Sequence, residues 1–418
     1  MSNRFSLCTL TGLSMVTVVA VIGTAPAGPL TPPTGPVAPT PGPEPRIAIN
    51  ATNTPGDANS VLKITAPGSY YLAADIAGVS ARNGIDIAAS NVTIDLNGFT
   101  LSGVAGSLDG IATEGVRTGI VIRNGSVTGW GNDGIDLLTA GVSEGALLES
   151  ILVTTNSVIG IRASAGTTVT GCTARQNSNH GISLGAGCTV SGCVFTSNGV
   201  NGVLAGASST VTGCSSNSNG SNGFNLATAC SISNCSANSN TANGYFTGPG
   251  TTISDCTATA NGSDGIDTSD GSSVHRCTLA TNGGDGIEAS SGSLVADCVC
   301  YENTQNGIEA FSDSIVRGNV CTTNGLAAGD GAGIRVAGNS TRVEGNSCVN
   351  NDRGIDVDSS GNVIVRNSCA GNTTNYVFVA NNYYGPIIDR ASVASAAVNG
   401  SAATSTLGST DANANYSH

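Results

Sequence analysis

Carboxylates that recur at fixed positions are the side chains in this chain best suited to chemistry. Asp264 and Asp285 each stand directly before a glycine, and Asp267, Glu288 and Glu309 each stand two residues after one. The second of these positions continues as Arg335 and Asp356, and earlier in the chain it holds Ser183, Leu204, Asn225 and Phe246. If the segments stack, the five carboxylates meet over neighbouring turns, where like charges repel unless a cation, an arginine or a raised pKa relieves them. Hard oxygen donors are what Ca²⁺ takes, so Asp264, Asp267, Asp285, Glu288 and Glu309 are candidate calcium ligands. The same residues equally describe a solvated acidic face that keeps a rod soluble and discourages lateral sheet pairing.

Asp267, Glu288, Glu309 and Arg335 are also the candidate catalytic groups. Glycoside hydrolysis needs two carboxyls, widely separated in inverting enzymes and closer in retaining ones, and neighbouring turns supply either distance without singling out a pair. Residues 324–333 (NGLAAGDGAG) interrupt the regular spacing and place a loop carrying Asp330 beside that face. The only tryptophan, Trp130, either stacks on a sugar ring or covers an irregular junction. Asp330 and Trp130 are therefore the candidate substrate contacts.

What must position these groups is a repeat. Gly160, Gly181, Gly202, Gly223, Gly244, Gly265, Gly286 and Gly307 follow one another at 21-residue intervals, each with an apolar or aromatic residue after it. Asn156 to Asn303 keep the same interval four residues before each glycine, and Cys172 to Cys298 keep it twelve residues after. A period this short marks a solenoid. Within each repeat, apolar and polar residues alternate with period two, so the segments read as short strands with one buried face. Such strands bury that face only by stacking coil on coil, and the expected fold is all-β: a single-stranded parallel β-helix with end caps and about fourteen coils. Asparagine suits the bends, because it tolerates left-handed backbone and its amide hydrogen-bonds to its stacked equivalents.

The chain has 418 residues, 4% aromatics and a formal charge of −13 with 15 basic residues, which disfavours nucleic acid as a partner. Its 14 cysteines would suggest disulfides in an exported chain. However, stacked Cβ atoms lie ~4.8 Å apart, longer than a disulfide prefers, so the column reads as buried thiols. Cys300, Cys321, Cys348 and Cys369 form a second inward column, while Cys188 and Cys230 lie outside both and leave local bonds to Cys193 and Cys235 open.

Residues 1–27 combine Arg4, an apolar run and Ala25-Pro26-Ala27, and read as a secretory signal peptide that leaves no membrane span after cleavage. Residues 28–45 are a Pro-rich linker. The repeat is absent from 46–80, read as an N-terminal cap over the exposed strand edge. Residues 81–380 are the solenoid, with irregular early spacings of 26, 24 and 26 from Gly84 to Gly160. The last segment, 381–418, reads as a partial cap followed by a flexible tail.

VTIDLNGFTLSG at 92–103, with PGSYYL at 67–72 and RNGSVTGWG at 123–131, resembles the secreted bacterial proteins with right-handed β-helix repeats. That pectate-lyase-like superfold includes the NosD-like group and arrays of planctomycete type. The resemblance implies the right-handed coil sense and carries over no catalytic residue, while the signal peptide sets the expected location as secreted, cell-surface or periplasmic. Lyases of the superfold pair calcium carboxylates with a basic proton acceptor, for which Arg335 and Arg317 are the candidates here. His180, in NHGISLG, is similar to a histidine motif of polygalacturonases, yet it occupies a column filled by Asn201, Asn222 and Asn243 in later coils and lacks that family's partner motifs. The expected function is a non-catalytic rod binding extracellular polysaccharide or cell-surface glycan. The alternatives are a polysaccharide lyase or glycoside hydrolase on the acidic face, and a purely structural or adhesive module.

Overall fold

A computed structural model describes residues 46–138, 145–326, 331–389 and 411–418. The expected signal peptide and linker lie outside the described residues. Each regular coil contributes three short strands, as in Ile161–Ala163, Thr168–Thr170 and Thr173–Arg175. The first joins a 15-stranded parallel sheet running from Ser60–Ile64 to Thr374–Phe378. The other two build parallel ladders that merge, through the long strands Ile120–Thr128 and Leu147–Thr154, into a 30-stranded sheet.

The register follows from the repeat. Ile182, Val203, Phe224, Tyr245, Ile266 and Ile287 are successive partners in the first sheet, and all are fully buried. Phe224 and Tyr245 stack with ring centroids 5.1 Å apart. Close approach explains the repeat glycine: a Cβ at Gly265 would stand 2.6 Å from the carbonyl oxygen of Gly286 and 2.9 Å from Asn282 Nδ2.

Each ladder asparagine donates to the next. Asn240 Nδ2 lies 3.0 Å from Asn261 Oδ1, and Asn261 Oδ1 also accepts the Asn240 N–H at 3.1 Å. The series continues past Asn303 through Asn324 and Asn351 to Asn372. The left-handed backbone expected of these asparagines belongs instead to the residue before each, such as Ser239 (φ 56) and Ala260 (φ 55). This leaves the asparagine side chain turned inward, where its amide replaces a buried backbone partner.

The described cysteines are all free and buried, Cys188 and Cys230 included. After Cys298 a second asparagine ladder, Asn319, Asn346, Asn367 and Asn415, takes over the cysteine column.

Three expectations change. Residues 46–80 are wound into the solenoid: Ile47–Ile49 pairs with Gly68–Leu72, and Ser60–Ile64 pairs with Asn83–Ile87. Covering of the strand edge falls to the turn before Ser60, where Pro55 bridges Leu62 and the Lys63 N–H reaches Thr54 O at 3.2 Å. At the other end, Asn415–Ser417 returns to pair with Ser368–Ala370 and Ile387–Asp389, so residues 411–418 belong to the last coil and are not a tail. Trp130 is fully buried. Its Nε1 donates to Leu101 O at 3.2 Å, and its ring lies where side chains at Gly84 and Gly110 would otherwise reach. The ring is closed to a sugar, and its role is packing at the irregular coils.

Candidate carboxylate site

The first strand of each coil points its middle residue outward. In this column Asp267, Glu288, Glu309, Arg335 and Asp356 are successive register partners. The residue before each glycine forms a second ladder alongside, in which a side-chain oxygen accepts the next coil's backbone N–H. Asn243 Oδ1 takes Asp264 N at 3.0 Å, Asp264 Oδ1 takes Asp285 N at 2.7 Å, and Asp285 Oδ1 takes Asn306 N at 2.6 Å. One oxygen of each aspartate is thus committed to the fold.

Asp264, Asp285 and Glu288 offer oxygens that all lie within 4.8 Å of one another. Asp267 and Glu309 flank the trio with partners of their own. Asp267 accepts from Asn243 Nδ2 at 3.1 Å, and Glu309 takes Arg335 at 3.1 Å and Asn306 Nδ2 at 3.3 Å. Only three of the five expected ligands therefore converge. Asp285 is 3% exposed, while Asp264, Asp267, Glu288 and Glu309 are half-buried and reach solvent. Burial, with the charge of Asp264, pushes Asp267 up to about 6. Burial and the charges of Asp267, Asp264 and Glu309 push Glu288 up to about 7. Asp285 is raised by burial and by Glu309 and Asp264, and Asp264 by burial.

The donor set fits Ca²⁺: oxygens each ~2.3–2.6 Å from one ion stand no more than about 5 Å apart, and carboxylates are its preferred ligands. The trio would hold the ion and lose its mutual repulsion to it. A proton acceptor is less evident. Burial opposes the charge of Arg335, but Asp358 and Glu309 outweigh it and raise its pKa, with ion pairs of 2.8 and 3.1 Å. His180 behaves as a repeat variant, its Nδ1 accepting the Asn201 N–H at 3.3 Å where other coils use an amide. Asp330 lies outside the described residues.

A second carboxylate trio, Asp109, Asp133 and Asp136, is buried on the same face, with oxygens again within 4.8 Å of one another. Asp109 accepts Asp133 N at 2.9 Å, Asp133 accepts Ile159 N at 2.8 Å, and the Arg162 guanidinium stands 3.9 and 3.8 Å from Asp133 and Asp136. Burial pushes Asp109 up to about 6. The signal for this trio was present, since Asp133-Gly134-Ile135-Asp136 repeats the pattern at 264–267 and 285–288, but the uneven early spacing concealed the column.

These features define a parallel β-solenoid whose first sheet carries an outward row of carboxylates. The sequence matches the family described as right handed beta helix region over residues 75–231, 186–314 and 268–413, and the chain belongs to that family. Among solved structures it is similar to the A-module of the Azotobacter vinelandii mannuronan C-5 epimerase AlgE4, at 15% identity over 76% of this chain and 90% of that one, with a TM-score of 0.43. It is similar to the periplasmic alginate epimerase AlgG at 13% identity over 80% and 78%, TM-score 0.37. The receptor binding domain of the Siphovirus 9NA tailspike is similar at 9% identity over 77% and 74%, TM-score 0.38. No curated protein matches the sequence. Among the described residues no helix is long and apolar enough to cross a membrane.

Proposed function

We propose that this chain is an exported, non-catalytic rod that binds a polysaccharide along its first sheet at the cell surface, in the periplasm or outside the cell. The observation that carries the reading is Phe246. It is 40% exposed in the outward column, directly between Asn225 and Asp267 in register. An open aromatic face beside amide and carboxylate acceptors is the chemistry that holds a sugar, the ring against C–H groups and the acceptors on hydroxyls. Ca²⁺ at Asp264, Asp285 and Glu288 belongs to the same reading, as a charge-neutralising ion one to two coils further along.

The test is retention of neutral and uronic-acid polysaccharides by the mature chain, with and without Ca²⁺, while following polymer length. Wild-type retention without shortening, weakened by Phe246→Ala, is expected. Polymer that is neither retained nor shortened would leave the structural or adhesive module.

Shortening would favour the second reading, a lyase or hydrolase. It draws on one observation: Asp267 and Glu288 are register partners whose carboxyls are raised to about 6 and about 7, the range of a general acid working near neutrality. Phe246 favours the first reading, because its exposed ring lies in register between an amide and a carboxylate.

A further inference from the structure

The bend between the second and third strands is built on one left-handed residue per coil, among them Gly192, Asn234, Asp255, Arg276, Gly318 and Arg366, with φ between 54 and 67. Where that residue is glycine the surface opens. Gly318 and Gly345 floor a groove of ≈ 290 Å³ whose other lining residues are Asp297, Arg317, Glu344 and Arg366.

The charges in this groove are unusual for a chain of net charge −13. Glu344 is ion-paired by both Arg342 and Arg366. Arg317 is the register partner of Glu344 on the neighbouring strand, and it is exposed. Because Glu344 is already occupied, Arg317 makes no ion pair among the described residues. Two guanidiniums, Arg317 and Arg366, line the groove against the carboxylates of Asp297 and Glu344, and Arg342 adds a further charge on Glu344 from outside the lining. Beside the groove the third strands present Val299, Val320 and Tyr301, at 40, 41 and 42% exposure, with Val299 and Val320 in register.

A wider groove of ≈ 450 Å³ occupies the same bend in earlier coils, over Gly192, Gly213 and Asn234, with Ser215, Ser236 and Thr257 along it. Asp255 lines the end of this earlier groove, and its ion pair with Arg276 separates it from the later one. From Gly192 to Gly345 the line crosses seven coil steps, about 34 Å at one strand spacing per coil. A line of that length suits an extended polymer.

We propose that this bend is a second binding site, for an anionic polysaccharide whose carboxylate or sulfate groups pair with Arg317 above the Gly318–Gly345 floor while its sugar faces lie on Val299, Val320 and Tyr301. The site shares with the reading above only the polysaccharide class, since it uses none of the side chains of the first sheet. A guanidinium left unpaired is the group that recognises a planar carboxylate or a sulfate through paired hydrogen bonds.

The experiment measures binding of a polyuronate, a sulfated glycan and a neutral glucan to the full chain at low and high salt. The variants are Arg317→Gln, Gly345→Asp and Phe246→Ala. Gly345→Asp places a carboxylate in the floor without disturbing packing. An added Cβ there meets nothing within 4 Å, and aspartate already occupies the same backbone at Asp255 (φ 55) and Asp297 (φ 57).

Loss of one charge-assisted contact corresponds to about tenfold weaker binding. Both groove variants should show that loss or more for the anionic polymers, in a salt-sensitive way, and none for the neutral glucan. Binding of the polyuronate alone would identify carboxylate as the anion, and of the sulfated glycan alone, sulfate. Wild-type chain that binds neither anionic polymer, or groove variants that bind them as wild type does, would overturn the site. Loss of the neutral glucan in Phe246→Ala alone would bear only on the first sheet.

Discussion

Asp264 Oδ1 accepts the backbone N–H of Asp285 at 2.7 Å, so a carboxylate of the candidate site is also a coil-to-coil connector. Asp285 repeats the contact to Asn306 at 2.6 Å while remaining almost wholly buried.

A substitution can separate the two roles. Asp285→Asn keeps an oxygen for the Asn306 N–H and removes the ionisable group, so unfolding by denaturant at pH 7 should show stability equal to or above wild type. Asp285→Ala strands a buried donor and should cost about 1–3 kcal/mol. Equal losses in both variants would show that the hydrogen bond is not what Asp285 contributes.

Stability should depend on pH through the same carboxyls. Folded-state values of about 6 for Asp267 and about 7 for Glu288 exceed the ordinary 3.8 and 4.5. A raised carboxyl binds its proton more tightly in the folded state, so its contribution is largest at the acidic end and is lost as pH climbs from about 4 to about 7. The difference in melting temperature between wild type and Asp267→Asn/Glu288→Gln, followed across that range in chelator, should therefore move in favour of the variant as pH rises.

Calcium should act in the opposite direction. At pH 7 the ion would remove the repulsion among Asp264, Asp285 and Glu288, raising the wild-type melting temperature above its value in chelator. The same double variant should lose most of that increment. An identical melting temperature with and without Ca²⁺ in wild type would eliminate the metal.

The asparagine ladder predicts a gradient of effects. Asn240 makes contacts on both sides, accepting from Asn219 at 2.9 Å and donating to Ser216 O and Asn261, both at 3.0 Å. Asn240→Ala should destabilise by about 2–4 kcal/mol, since it leaves more than one buried partner unmet. Asn372, half-buried in the last full coil, should cost about 1 kcal/mol on the same change. Chemical denaturation of the pair gives the comparison.

Thiol and indole probes report on the interior. The described cysteines are 0–3% exposed, so alkylation of native protein should spare them until denaturant is added. Emission from Trp130, fully buried, should be blue-shifted and unmoved by any saccharide that binds.

Much of this was legible in the residues. The even interval from Gly160 to Gly307 sets both the coil and its facing, because alternation with period two assigns each strand residue to the core or the surface without further information. Asp264, Asp285 and Glu288 could be brought together on that basis alone. Where the interval breaks, the reading failed: the Asp109, Asp133 and Asp136 trio lies among coils of uneven length, and the second asparagine ladder reaches Asn415 across 48 residues.

By itself the sequence determined the repeat, the inward columns and the outward rows, since these follow from local periodicity. The tertiary structure decided which outward groups are free. Arg335 and Arg317 are both arginines at outward strand positions, yet Glu309 and Asp358 pair the first while Arg342 and Arg366 take the partner nearest the second. Trp130 is buried because distant glycines leave it room. Pairing and burial depend on neighbours in other coils, and their distances are set by how the turns stack, which no single segment encodes.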